Sequence, residues 1–151
     1  MEQKILRVYL DNCCYNRPYD DQTQIRISLE SQAKLHIQNL IKNGQLELVT
    51  SYMLFFENSQ DPVHSRRSSI KKFLLRYADM NVSESRIDII KADARKIMET
   101  GIKYKDACHV ACAILSNADF FLTTDKRLLK YDTNEIIIMN PIDFLTEMEE
   151  K

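Results

Sequence analysis

The chain has 151 residues, 44% apolar and 28% charged, with 21 basic and 22 acidic side chains for a formal charge of −1. That size and content suit a single domain, residues 1–151, with a real core; no apolar run approaches the ~20 residues of a membrane span, and a near-neutral balance argues neither for nor against a nucleic-acid partner. The only glycines, Gly44 and Gly101, exclude a Gly-rich dinucleotide turn and a Gly-rich phosphate loop.

Met1-Glu2-Gln3-Lys4 leads straight into a strand, without the layout of a secretory leader, so the expectation is a soluble, cytoplasmic protein. Residues 4–10 read as a buried strand and Asp11 to Asp21 as a polar loop. Residues 22–43 read as a helix with Ile25, Leu29, Leu35, Leu40 and Ile41 among its apolar positions, stopped by Gly44. Residues 46–50 are a second strand. Ser51 caps the helix that carries Phe55, Phe56 and Glu57, which Asp61-Pro62 ends. A helix over 66–78, a short strand over 79–82 and a helix capped by Ser83 or Ser85 and running to Thr100 follow.

Residues 105–117 are helical, with a core face of Ala107, Val110, Ala111, Ile114, Leu115 and Ala118. Strand 119–124, short helix 125–131 and strand 135–139 come next, and Asn140-Pro141-Ile142-Asp143 starts the last helix. Strands alternating with helices predict an α/β fold, a three-layer α/β/α sandwich around a mostly parallel sheet.

Four acids mark element edges. Asp11 and Asp125 end strand runs, Glu57 follows a strand within the next helix, and Asp106 opens a helix. Ligands collect at the carboxyl ends of parallel strands. Carboxylates sharing one such edge repel unless a hard cation neutralises them, which points to Mg²⁺ or Mn²⁺ and phosphate chemistry. Each acid also has a plain reading as a cap, a loop acid or a solvated helix residue. Cys108, Cys112 and His109 invite a zinc reading, but paired CxxC spacing is missing, and Cys13, Cys14, Cys108 and Cys112 read better as small packing residues.

Four segments, Val8-Tyr9-Leu10-Asp11-Asn12, Phe55-Phe56-Glu57, Lys105-Asp106-Ala107-Cys108-His109-Val110-Ala111 and Phe121-Leu122-Thr123-Thr124-Asp125-Lys126, together resemble the PIN domain, the nuclease fold of VapC-type toxins. The resemblance covers essentially the whole chain. It implies that Asp11, Glu57, Asp106 and Asp125 bind divalent metal and that Thr123 lines the site, with Asn12 a lesser candidate. Many relatives carry a further acid two residues past the fourth, where this chain has Arg127. The implied function is a metal-dependent endoribonuclease, as toxin or housekeeping relative; the alternative is a PIN-fold RNA-binding or assembly module of weak or no activity. A receiver-like phosphoacceptor fares worse, lacking an early acidic pair and a late strand-end lysine.

RNA is the implied substrate. Arg17, Lys103, Lys105, Lys126, Arg127 and Lys130 are candidates for holding its backbone, Arg66, Arg67, Lys71, Lys72 and Arg76 form a second basic stretch, and Tyr15, Tyr19 and Tyr104 are candidates for base stacking. Asp20 and Asp21 read as helix caps, and His109 as a packing or supporting residue. The resemblance further implies homodimerisation and a cognate antitoxin with an arginine directed at the carboxylates.

Overall fold

The computed structural model describes residues 4–149; Met1, Glu2 and Gln3 of the N-terminal reading lie outside the described residues. Among the described residues, five strands form one sheet: β1 (Leu6–Leu10), β2 (Leu46–Ser51), β3 (Met80–Val82), β4 (Phe120–Leu122) and β5 (Ile137–Met139). Their spatial order is β3-β2-β1-β4-β5, and all four pairings are parallel. β1 is central, with Val8 paired to Leu48 on one side and to Phe120 on the other. The chain works outward from β1 to β3, then crosses back to add β4 and β5. The order therefore reverses between β1 and β4, where an open parallel sheet leaves a crevice beyond its strand ends.

Among the described residues, eight helices cover the sheet: α1 (Asn12–Asn16), α2 (Ile25–Lys42), α3 (Tyr52–Ser59), α4 (His64–Tyr77), α5 (Ile87–Met98), α6 (Tyr104–Leu115), α7 (Lys126–Leu129) and α8 (Pro141–Glu149). This is the expected α/β sandwich, and its sheet is wholly parallel. Val8, Tyr9, Leu10, Leu48, Val49, Phe121 and Leu122 are fully buried, as two-sided coverage demands. Gly44 and Gly101 close α2 and the α5 end at φ +75° and +100°, where a Cβ is strained.

Four readings need correction. The stretch read as a polar loop is α1 followed by a 3-10 turn over Arg17–Tyr19, because the Asp11 carboxylate accepts the Asn12 N–H and the segment buries Cys14 and Tyr15. Ile25, Leu29 and Leu35 on α2 are exposed, whereas Glu30 and Lys34 are buried. Neither Asp20 nor Asp21 caps α2: the cap position is Gln24, and Asp21 instead accepts from the Thr23 amide and hydroxyl. Ser83 stands at the cap of a 3-10 turn (Glu84–Arg86) but bonds the Ser85 hydroxyl rather than an amide, and α5 starts only at Ile87.

Candidate active site

The crevice is built from β1 outward. Asp11 lies one residue past β1 and is 5% exposed. Its Oδ1 accepts the Asn12 N–H at 2.8 Å, and its Oδ2 accepts the Thr123 hydroxyl at 2.9 Å and the Cys13 thiol at 3.4 Å. Thr123, fully buried just beyond β4, also accepts the Asp125 N–H at 3.0 Å. One hydroxyl thus ties the two strand-end acids together. Asp125 caps α7 by accepting the Arg127 N–H at 2.8 Å. Both Asp11 and Asp125 thus cap helices, as their plain reading has it, and capping leaves a carboxylate acceptor sites to spare.

The helical pair arrives from the other side. Ser51 ends β2 and caps α3, its hydroxyl accepting the Leu54 N–H at 3.3 Å, which sets the helix carrying Glu57. Glu57 Oε1 accepts from His109 Nε2 at 2.6 Å. Burial raises the Glu57 pKa, but the His109 hydrogen bond and the charges of His109 and Lys105 bring it below the ordinary value. Burial lowers that of His109, and Glu57, Asp11 and Asp106 more than offset this, leaving it raised. Asp106 occupies the first turn of α6. Desolvation, followed by the charges of Asp11 and Asp125, raises its carboxyl to about 6.

Asp11, Glu57, Asp106 and Asp125 line one cavity of about 300 Å³, with Asn12, Cys13, Asn16 and Asp20. The donor set is hard oxygen, and burial together with the neighbouring Asp11 and Asp125 charges, only partly offset by His109, raises Asp106. Asn16, another lining residue, has its Oδ1 buried without a hydrogen-bond partner. In chemistry these residues fit a divalent cation. In arrangement they are looser: among the described residues, no three His, Cys, Asp or Glu side chains are gathered closely enough to hold an ion as they stand. This holds for the Cys108, Cys112 and His109 trio as well, and all four cysteines are free.

The basic residues divide. Arg17 faces inward, donating to Glu30 Oε1 at 2.9 Å and Asp20 Oδ2 at 3.0 Å. Arg66 pairs with Asp61, and Arg67 donates to the Asp61 carbonyl. Lys105 near Asp106, and Lys126 and Arg127 after Asp125, are exposed. Tyr15 is 1% exposed and packs against Phe73, so stacking of an RNA base on it is excluded. Tyr19 and Tyr104 are exposed, as is Phe56, whose ring lies 6.0 Å from Lys105 Nζ. Sequence reasoning missed Cys13 and Asn16 because their segment was read as loop; once Asp11 is taken as a helix cap, both fall within its first turns.

A family profile described as the PIN domain matches residues 25–134. The matched span holds Glu57, Asp106 and Asp125; Asp11, on the central strand, precedes it. Solved structures share the fold, two of them as follows. VapBC2 from Rickettsia felis, bound to a DNA fragment from their promoter, aligns at a TM-score of 0.56 and 14% identity, covering 89% of this chain and 98% of that one. FitAcB from Neisseria gonorrhoeae aligns at 0.51 and 16%, covering 89% and 97%. No curated protein matches.

Proposed function

From the premise that this chain belongs to the PIN domain family, we propose that it is a divalent-cation-dependent endoribonuclease. The observation that carries the reading is the convergence of Asp11, Glu57, Asp106 and Asp125 on one cavity at the sheet's switch point. These four side chains are the ligand set for Mg²⁺ or Mn²⁺. Bound there, such an ion lowers the pKa of a water and neutralises charge on the phosphoryl oxygens.

The protein's own groups do the rest. Thr123 holds the Asp11 and Asp125 ends in register. Lys105, Lys126 and Arg127, exposed beside the later acids, attract a phosphate backbone without reading sequence. No side-chain nucleophile is required. His109 is fully buried with both ring nitrogens engaged, so it is no general base for a bound substrate. A cognate antitoxin presenting an arginine to the carboxylates would suit the cavity's charge, and a homodimer is the assembly the resemblance implies.

Calorimetric titration of Mn²⁺ and Mg²⁺ into wild-type and Asp106→Asn protein, beside cleavage of a mixed RNA pool, tests the reading. Binding and cleavage in the wild type, both lost in the variant, are expected. A second reading, a PIN-fold RNA-binding or assembly module without hydrolysis, is favoured by the ungathered side chains and by Arg127 in place of a further acid. RNA binding by the wild type with no cleavage at millimolar cation would replace the first reading with it. No cation binding at that concentration would sink the metal site.

A further inference from the structure

Glu57 differs from its three companions in how it is anchored. Asp11 and Asp125 are tied to each other through Thr123, but Glu57 comes from α3, which follows the carboxyl end of β2. A chain of hydrogen bonds reaches it through the core. The Ser51 hydroxyl and the Tyr9 hydroxyl lie 2.7 Å apart, Tyr9 Oη is 2.6 Å from His109 Nδ1, and His109 Nε2 is 2.6 Å from Glu57 Oε1. Ser51, Tyr9 and His109 are all fully buried. The Tyr9 ring is locked in turn, stacked on Phe121 at 5.3 Å with its planes 10° apart.

The hydrogen count along this chain has one solution at the Glu57 end. An ionised carboxylate only accepts, so Nε2 must carry a proton. With a neutral ring, Nδ1 then accepts from the Tyr9 hydroxyl, which itself accepts from Ser51. With a protonated ring, Nδ1 donates to Tyr9, which donates to Ser51. In both cases Glu57 receives the same donor at the same place. The chain also closes on itself mechanically, because Ser51 is the cap of the helix that carries Glu57.

Position 109 is otherwise a core position. Its neighbours Ala107, Val110 and Ala111 are buried, and an apolar side chain there would bury no polar atoms. An imidazole in that place is useful for the donor it aims. It sits three residues after Asp106 on α6, and Tyr9 is on β1, two residues before Asp11 at that strand's end, so both anchors lie next to other acids of the site.

We infer that Tyr9 and His109 are positioning residues, which hold the Glu57 carboxylate through Oε1, with Asn12 beside it, for the acidic cavity. This rests on the cation reading of that cavity, and goes beyond it by assigning the placement of one ligand to two buried groups that touch neither cation nor substrate. Hydrogen-bonded support of a metal-binding carboxylate is worth about 10–100-fold in metal affinity.

The test combines Mn²⁺ calorimetry with the carboxyl ¹³C resonance of Glu57 in full-length protein. His109→Ala is expected to weaken Mn²⁺ binding about 10–100-fold, and Tyr9→Phe, which keeps the stacked ring, about threefold. His109→Gln, whose amide can replace the Nε2 donor, should recover most of the loss. In a Glu57→Gln background, His109→Ala should add less than about twofold, because its effect runs through Glu57. Should His109→Ala not fold, Tyr9→Phe and His109→Gln carry the test. Mn²⁺ affinity unchanged in Tyr9→Phe and His109→Ala, or lowered equally with and without Glu57, overturns the positioning role. No Mn²⁺ binding by the wild type overturns the cation reading instead; the tether is then judged by the ¹³C resonance, and a line unmoved by Tyr9→Phe removes it too.

Discussion

The two ends of the central strands carry acids under opposite regimes. At the amino end, Asp119 receives Lys4 Nζ at 2.7 Å and the Arg7 N–H at 2.8 Å, while Arg7 also donates to Glu47 at 3.1 Å and to the Ser116 carbonyl at 2.7 Å. Burial raises the Asp119 pKa, and Lys4 and Arg7 bring it below the ordinary value. At the carboxyl end, among the described residues, Asp11, Asp106 and Asp125 have no ion-pair partner, and Asp106 is raised to about 6. One end satisfies its carboxylates with side chains of the same fold. At the other, Asp11 and Asp125 are held by amide, hydroxyl and thiol donors rather than by cationic side chains, and only Glu57 has an ionisable partner, His109. Acids kept unpaired beside one another are tolerated where they work, and this contrast, rather than acidity itself, distinguishes a site from a scaffold.

The sharpest way to break the contrast is Asp106→Asn. Cleavage of RNA should fall about a thousandfold, the scale of losing one preorganised electrostatic group. Stability should not fall with it: cation-free protein relieved of a crowded charge should gain of order 1 kcal/mol, after allowance for solvent screening. Lost stability alongside lost cleavage would class Asp106 with the scaffold. The reverse control is Glu30 on α2, a fully buried carboxylate whose partners are Arg17, Arg26 and Asn140. If burial alone made a working acid, Glu30 would be one. Glu30→Ala strands Arg17 and Asn140 and should cost about 3 kcal/mol in chemical denaturation, with Mn²⁺ affinity unchanged.

The carboxyl end was more legible in the sequence than the rest, for a physical reason. A buried parallel strand is an apolar run, so an acid that ends one stands out, as Asp11 and Asp125 do; Glu57 and Asp106 follow from the cap and first turn of their helices. What local pattern does not encode stayed hidden. The Arg17–Glu30 pair spans 13 residues and the Tyr9–His109 contact 100. On α2 the apolar positions misled, because Glu30 and Lys34 are drawn inward by tertiary partners while Ile25 is 79% exposed. Residues 12–19 read as loop because Asn, Cys and Tyr are weak helix formers; the Asp11 cap and the burial of Tyr15 override that propensity.

Proton competition sharpens the comparison further. The Asp106 pKa is raised in the folded protein, so its protonated form is favoured there. The stability this group contributes is fully present below its ordinary value of 3.8 and is lost as pH rises through about 6. A cation must displace that proton. Mn²⁺ affinity should therefore be about tenfold weaker at pH 5 than at pH 7 and level above, and Asp106→Asn should flatten this part of the profile. A profile equally steep in the variant would assign the proton to another group.

The smallest effect belongs to the amino end. Asp119→Asn keeps the shape of the side chain but removes its charge from Lys4, which is 74% exposed, and weakens its acceptance of the Arg7 amide. The cost should be about 1 kcal/mol, reduced by added salt, since one partner is screened by water. As a carboxylate whose folded pKa is lowered, Asp119 contributes stability that is present above its ordinary value of 3.8 and lost as pH falls through its lower folded value. Mn²⁺ affinity and cleavage should be those of the wild type. A loss of either would mean that the two ends of the sheet are coupled through β1 and β4, and the division between scaffold and site would have to be redrawn along those strands.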